Sequence, residues 1–150
     1  MGEVYRKVLE FKRRHPNTIG WRIKQNSEIV QKHLNPGEKV LYAFIAQKND
    51  SLFNIFDSAV VALTDRRILI GRKRVVIGYF LNSITPDLFN DLKVSGGLIW
   101  GKVYIDTVKE FVTLSNISND ALTEIETEIT SYMMKEKKKY KSYVPNENDE

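Results

Sequence analysis

The chain contains no cysteine, which excludes disulfides, thiolate zinc centres and cysteine nucleophiles. Histidine is almost as scarce. His15 and His33 both lie in charged or polar stretches, with no other metal-ligand type beside them. No apolar run approaches the ~20 residues that a bilayer-crossing helix needs. Residues Met1 to Glu10 are charged throughout and lack the apolar segment of a signal peptide, so a cytoplasmic location is expected, with room for peripheral attachment to a membrane.

Catalytic spacings are missing too. Neither histidine stands near a serine or carboxylate in a recognisable motif, and Asp57, Asp87, Asp91 and Asp106 are scattered over turns and strand ends. Gly96, Gly97 and Gly101 do not precede a helix, and no Gly-Lys-Ser/Thr follows them, so they read as a turn or bulge beside Trp100 and not as a phosphate loop. The expectation is a non-enzyme without cofactor or metal.

What is present is an ordinary folded composition. Of 150 residues, 42% are hydrophobic and 28% charged, enough for one domain and some extra helix. The net charge of +4 is uneven. Residues 1–38 carry eight Lys/Arg against four Asp/Glu, residues 39–117 ten against seven, and residues 118–150 five against eight. The balance slightly favours anionic partners.

Periodicity divides the chain into helix, strands and helix. Val4, Val8 and Phe11 recur at helical spacing over residues 3–15, opposite Arg6, Lys7, Glu10, Arg13 and Arg14, and Pro16 stops the run. The narrow apolar stripe favours packing on the domain or on a sister chain over lying on a membrane. Asn17 to Asn26 reads as a connection, and Ser27 as the N-cap of a short helix through Leu34. Asn35-Pro36-Gly37 is turn chemistry.

Strand signals follow. Val40 to Ala46 is apolar on both faces, and Ser58 to Leu63 is a second apolar strand. Thr64 to Arg67 is a tight turn into a third strand from Ile68, Arg72-Lys73-Arg74 marks a reversal, and Val75 to Leu81 is the fourth strand. The fifth is expected over about Leu88 to Val94, the sixth over Gly101 to Ile105 and the seventh over Val108 to Leu114. Ser118 or Asn119 then caps a helix whose stripe is Leu122, Ile125, Ile129, Tyr132 and Met133, with acids early and lysines late. Seven short antiparallel strands cannot hide both sheet faces alone, and one amphipathic helix can plug an open end of their barrel.

This order, with specific residues at its joints, resembles the bacterial pleckstrin-homology (PH) family, in particular its prophage-associated YokE-like branch. The matching pieces are Leu34-Asn35-Pro36-Gly37-Glu38, Ala62-Leu63-Thr64-Asp65-Arg66-Arg67, Gly96-Gly97-Leu98-Ile99-Trp100-Gly101 and Asn116-Ile117-Ser118. The resemblance covers about residues 34–139. It implies a mainly β, PH-like, partly open barrel of two near-orthogonal antiparallel sheets, capped by the C-terminal helix. It also implies a recognition or assembly module, often self-associating, without catalysis. The domain plan is then a helical extension over 1–33, a PH-like domain over 34–141, and a disordered acidic tail over 142–150.

Two groups of residues stand out against this frame. Thr64, Asp65 and Arg67 form the family's joint and read as a structural turn. The resembling fold brings the first–second and third–fourth loops to one rim, which would gather Lys48, Leu52, Phe53, Ile55 and Phe56 near Arg72, Lys73 and Arg74. Such a rim suits an anionic membrane surface. Phosphoinositide-binding members also carry basic residues within strand two, where this chain has Ser58-Ala59-Val60-Val61, so specific phosphoinositide binding is not expected. The run Lys135 to Lys141, with Tyr140, reads as a solvated helix end before it reads as a nucleic-acid contact. The leading functional reading is protein–protein interaction or self-association, followed by anionic-membrane binding, with a small-molecule or catalytic site in the barrel mouth last.

Overall fold

The computed structural model describes residues 2–48, 58–74 and 77–141. Helices α1 (Glu3–Arg14) and α2 (Ile23–Lys32) precede the strands. The strands are β1 (Val40–Gln47), β2 (Ser58–Thr64), β3 (Ile68–Lys73), β4 (Tyr79–Ile84), β5 (Phe89–Ser95), β6 (Trp100–Thr107) and β7 (Phe111–Ser118). A single 3₁₀ turn leads into α3 (Leu122–Lys141). Among the described residues the strands form one antiparallel sheet in the order β4-β3-β2-β1-β7-β6-β5, which curls into a half-barrel. This is the PH-like architecture expected.

The sheet has two apolar layers. Its concave face buries Phe44, Val61, Ile70, Ile105 and Leu114, closed over by Ile125, Ile129 and Met133 of α3. The convex face of β1–β3 buries Val40, Ala43, Ile45, Val60, Ala62 and Leu69 beneath Val4, Val8 and Val30 of α1 and α2. This double burial is why β1 and β2 are apolar on both faces rather than alternating. Burying each large aliphatic or aromatic side chain contributes about 1.5–3 kcal/mol. Gly71 lets α2 approach closely, since a Cβ there would stand 2.6 Å from Val30 Cγ2.

The N-terminal segment also closes a seam. β1 and β7 are paired only at Gln47 and Ser115. Residues 18–21 run along the opening: Ile19 N donates to Asn116 O (2.9 Å), Ser118 N donates to Thr18 Oγ1 (3.0 Å), and Trp21 N donates to Ser58 Oγ (2.9 Å). Phe11 of α1 packs with Tyr42 and Phe44 inside the barrel.

Several expected boundaries move. α2 begins at Ile23, not at Ser27, after Arg22 in the left-handed region (φ 52), and Ser27 lies buried inside the helix. β4 starts at Tyr79, not Val75, because Arg74 N donates to Gly78 O (3.0 Å) and Gly78, with φ 88, turns the chain there. Residues 75 and 76 lie outside the described residues. β7 starts at Phe111, not Val108, because Thr107 and Glu110 close a turn through Thr107 N to Glu110 O (3.0 Å) and Glu110 N to Thr107 Oγ1 (2.9 Å). Ser118 does not cap α3; it ends β7, and its hydroxyl bonds Asp120.

Candidate functional site

The joint at Thr64–Arg67 is built around a carboxylate. Glu38, whose side chain is wholly buried, accepts from Arg67 Nε and Nη2 (both 3.0 Å), from Thr64 Oγ1 (2.6 Å) and from Asn35 N (3.0 Å). Burial alone would raise its pKa. The Arg67 and Thr64 hydrogen bonds and the Asn35 amide outweigh that and hold it at about 2. Arg67 also donates to His33 O (2.9 Å) and Ser83 Oγ (3.2 Å), and Asp65 Oδ1 accepts from Lys39 N (2.9 Å). These bonds tie Glu38, Thr64, Asp65 and Arg67 to one another and to neighbouring backbone, an arrangement that fixes the turn.

At the opposite end of the barrel, Asn26 of α2 is wedged between β2 and β3. Its Nδ2 donates to Ser58 O (2.9 Å) and its Oδ1 accepts from Lys73 N (2.8 Å). Those two positions continue the ladder that pairs Val60 with Gly71. Lys73 and Arg74 lie exposed beyond this wedge. The guanidinium groups of Arg72 and Arg74 lie 4.7 and 4.4 Å from the Phe80 ring centroid. Burial lowers the pKa of Lys48, where the charge of Glu110 opposes and that of Arg72 reinforces the shift. Leu52, Phe53, Ile55 and Phe56 lie outside the described residues.

The two sheet edges differ in kind. β5 is blunted: it carries a register shift between Phe89 and Asp91, exposes Asp91 and Lys93, and has Phe89 O bonded by Lys137 Nζ (2.5 Å) from α3. Among the described residues β4 shows no register shift, and the charged groups that hydrogen-bond to it, Arg67 at Ser83 Oγ (3.2 Å) and Glu110 at Asn82 Nδ2 (2.7 Å), meet its side chains and not its backbone. Its pairing with β3 is unbroken from Ile68–Ile84 to Lys73–Tyr79, and the sequence Tyr79-Phe80-Leu81-Asn82-Ser83-Ile84 holds no charge and no proline. Tyr79 is 51% exposed, Phe80 39%, and Ile77 just before them 81%. The sequence reading missed this edge, because its neutrality matters only once β4 is known to be the outermost strand.

The Gly96–Gly101 segment forms a hairpin tip fixed by Asn119, which accepts from Gly97 N (3.1 Å) and donates to Gly97 O (2.7 Å). Gly101 sits at a register shift against β7, as a bulge would place it. Leu98 is exposed at the tip, and Trp100 Nε1 donates to Asn17 O (2.6 Å). Among the described residues no cluster of His, Asp or Glu is arranged to hold a metal, and no helix is long and apolar enough to cross a membrane.

A family model described as bacterial PH domain matches residues 34–131, well over half of the chain. Its first matched residue precedes the Asn35-Pro36-Gly37 turn, and its last lies within α3. No curated protein matches the chain.

Proposed function

Because the chain belongs to the bacterial PH domain family, we propose that it is a non-catalytic binding and assembly module that recruits an extended protein segment along β4. Family membership supports a binding role in general, without fixing the partner. The observation that carries the finer reading is the contrast between the edges. β5 is bulged, charged and has a backbone carbonyl bonded by Lys137, whereas β4, among the described residues, keeps an unbroken register, carries no charged residue of its own and follows the exposed Ile77. An open edge offers backbone donors and acceptors to a further strand, with side-chain contacts on either face. The motifs at the joints support a place in the prophage-associated YokE-like branch.

Selection from a library of short extended peptides tests this reading. The full chain is expected to enrich a peptide class that a folded Ile77→Lys/Tyr79→Lys variant does not. Equal enrichment by both proteins, or none by either, removes it.

A second reading is a peripheral contact with anionic membranes, supported by Lys73 and Arg74 exposed beside Ile77. It calls for salt-sensitive binding to anionic vesicles that is lost on replacing Lys73 and Arg74 by alanine. Equal binding to neutral vesicles would dismiss it.

A further inference from the structure

We propose that the cleft between α1 and α2 binds a small zwitterion, of the size of an amino acid or dipeptide, with its carboxylate at Lys24 and its ammonium at Glu28.

The cleft is a hollow of about 480 Å³, within the range of roughly 300–1,000 Å³ that small-molecule sites occupy. Gly2 and Tyr5 line one side, and Lys24, Ser27, Glu28 and Gln31 the other. All six precede residue 34, so the hollow lies outside the family-matched segment 34–131. Its floor carries an unmet hydrogen bond. Ser27 is fully buried, and its hydroxyl has no partner. It does not turn back to the carbonyl of Ile23, as serines inside helices can. A buried hydroxyl left unpaired costs stability, and a polar ligand in the hollow supplies the partner. The rim carries charge of both signs. Lys24 and Glu28 are exposed and stand one helical turn apart, about 6 Å along the axis. Their order, lysine before glutamate, is the weaker one for pairing with each other, so each is available to a ligand lying along α2. A simple anion would meet Glu28 as a like charge, and a simple cation would meet Lys24 so; a short zwitterion satisfies both. Gln31 Oε1 accepts from Val4 N (3.0 Å), which holds this side chain at the end of the hollow and leaves its amide nitrogen to donate. The part-buried Tyr5 ring gives the ligand's carbon atoms an apolar wall.

NMR titration of the full chain with the free amino acids and a set of dipeptides tests the site, with N-acetylated and C-amidated forms of the best probe as single-charge controls. Saturable binding by at least one zwitterion is expected at concentrations up to about 10 mM, with amide shifts concentrated at residues 2–5 and 24–31. Either capped form should bind about tenfold more weakly. Lys24→Gln should weaken the zwitterion about tenfold without weakening the C-amidated form, and Glu28→Gln should do so without weakening the N-acetylated form. Ser27→Ala should weaken binding while leaving the melting temperature unchanged or higher, because it removes an unpaired hydroxyl and no bond. Absence of saturable binding by every probe overturns the proposal, as does equal binding of the capped and zwitterionic forms. Binding that none of the three substitutions alters overturns it too, as does a Ser27→Ala chain that loses stability and keeps its affinity.

Discussion

The phenol of Tyr42 donates a 2.7 Å hydrogen bond to Glu124 Oε2, joining the first strand to the closing helix across the open seam of the barrel. The same carboxylate meets His15 Nε2 at 2.9 Å and Arg14 Nε at 3.1 Å, so α1, β1 and α3 converge on one acceptor. Burial would raise the Glu124 pKa, but bonds from Tyr42, Arg14 and His15 lower it below the usual carboxylate value. Burial raises that of Tyr42, and the neighbouring carboxylate adds to it.

Removing either partner should therefore have unequal effects. Tyr42→Phe leaves Glu124 with two donors and should cost about 1 kcal/mol. Glu124→Leu leaves the buried phenol without its acceptor, while the half-exposed Arg14 can turn to water and His15 keeps Asp120 beside it, and should cost about 2–3 kcal/mol. Urea unfolding of both singles and the double should give a non-additive cycle. Additive losses would mean that the two side chains act independently.

The Glu38–Arg67 pair makes a sharper prediction because Glu38 is fully enclosed. Arg67→Ala leaves a buried carboxylate without its counter-ion and should cost about 3–5 kcal/mol. Arg67→Lys retains the charge but not the two-pronged contact, and should fall between.

The same carboxylate sets a pH dependence. Its pKa falls from an ordinary 4.5 to about 2 on folding, so the unfolded chain binds the proton more readily between those values. The stabilisation is fully present above about pH 4.5 and is lost as the pH falls toward 2. Stability measured across this window should decline less steeply in Glu38→Gln than in the unaltered chain. Equal slopes would mean that another carboxylate dominates acid unfolding.

These two clusters mark what could be read from sequence and what could not. The runs Val40–Ala46 and Ser58–Leu63 announced strands buried on both faces, and the stripe from Leu122 to Met133 announced the closing helix, because burial and periodicity are local patterns. Thr64, Asp65 and Arg67 announced a turn, but their partner Glu38 lies 29 residues before Arg67 in the chain and only the fold joins them. Ser27 looked like a cap because serine favours caps. The burial of Asn26 and its two bonds to β2 and β3 instead fix where α2 lies, overriding that local preference. The neutrality of Tyr79–Ile84 was plain in the sequence, but its meaning depends on strand order, which no local pattern encodes.

Asn26 should behave as a structural wedge. Asn26→Ala leaves Ser58 O and Lys73 N without this partner and should cost about 2–3 kcal/mol. Asn26→Asp can still accept from Lys73 N but cannot donate to Ser58 O. Hydrogen exchange should therefore accelerate at Lys73 in the alanine variant and much less in the aspartate one. Equal acceleration would show that the acceptor half of the amide does not hold that end of β3.

Deleting residues 1–33 should destroy the fold rather than release a smaller domain. The convex face of β1–β3 would expose Val40, Ala43, Ile45, Val60, Ala62 and Leu69 together, a contiguous apolar surface of the kind that drives aggregation. The seam between β1 and β7 would lose Ile19 and Thr18 as bonding partners of β7, Ser58 of β2 would lose Trp21 N, and the interior would lose Phe11. The chain that remains, starting at Leu34, retains the whole family-matched segment, so sequence likeness alone would expect it to fold. The physical expectation is an insoluble or dye-binding, loosely packed product without cooperative thermal unfolding. A soluble monomer with a sharp transition would instead show that α1 and α2 are an accessory layer and that the barrel closes without them.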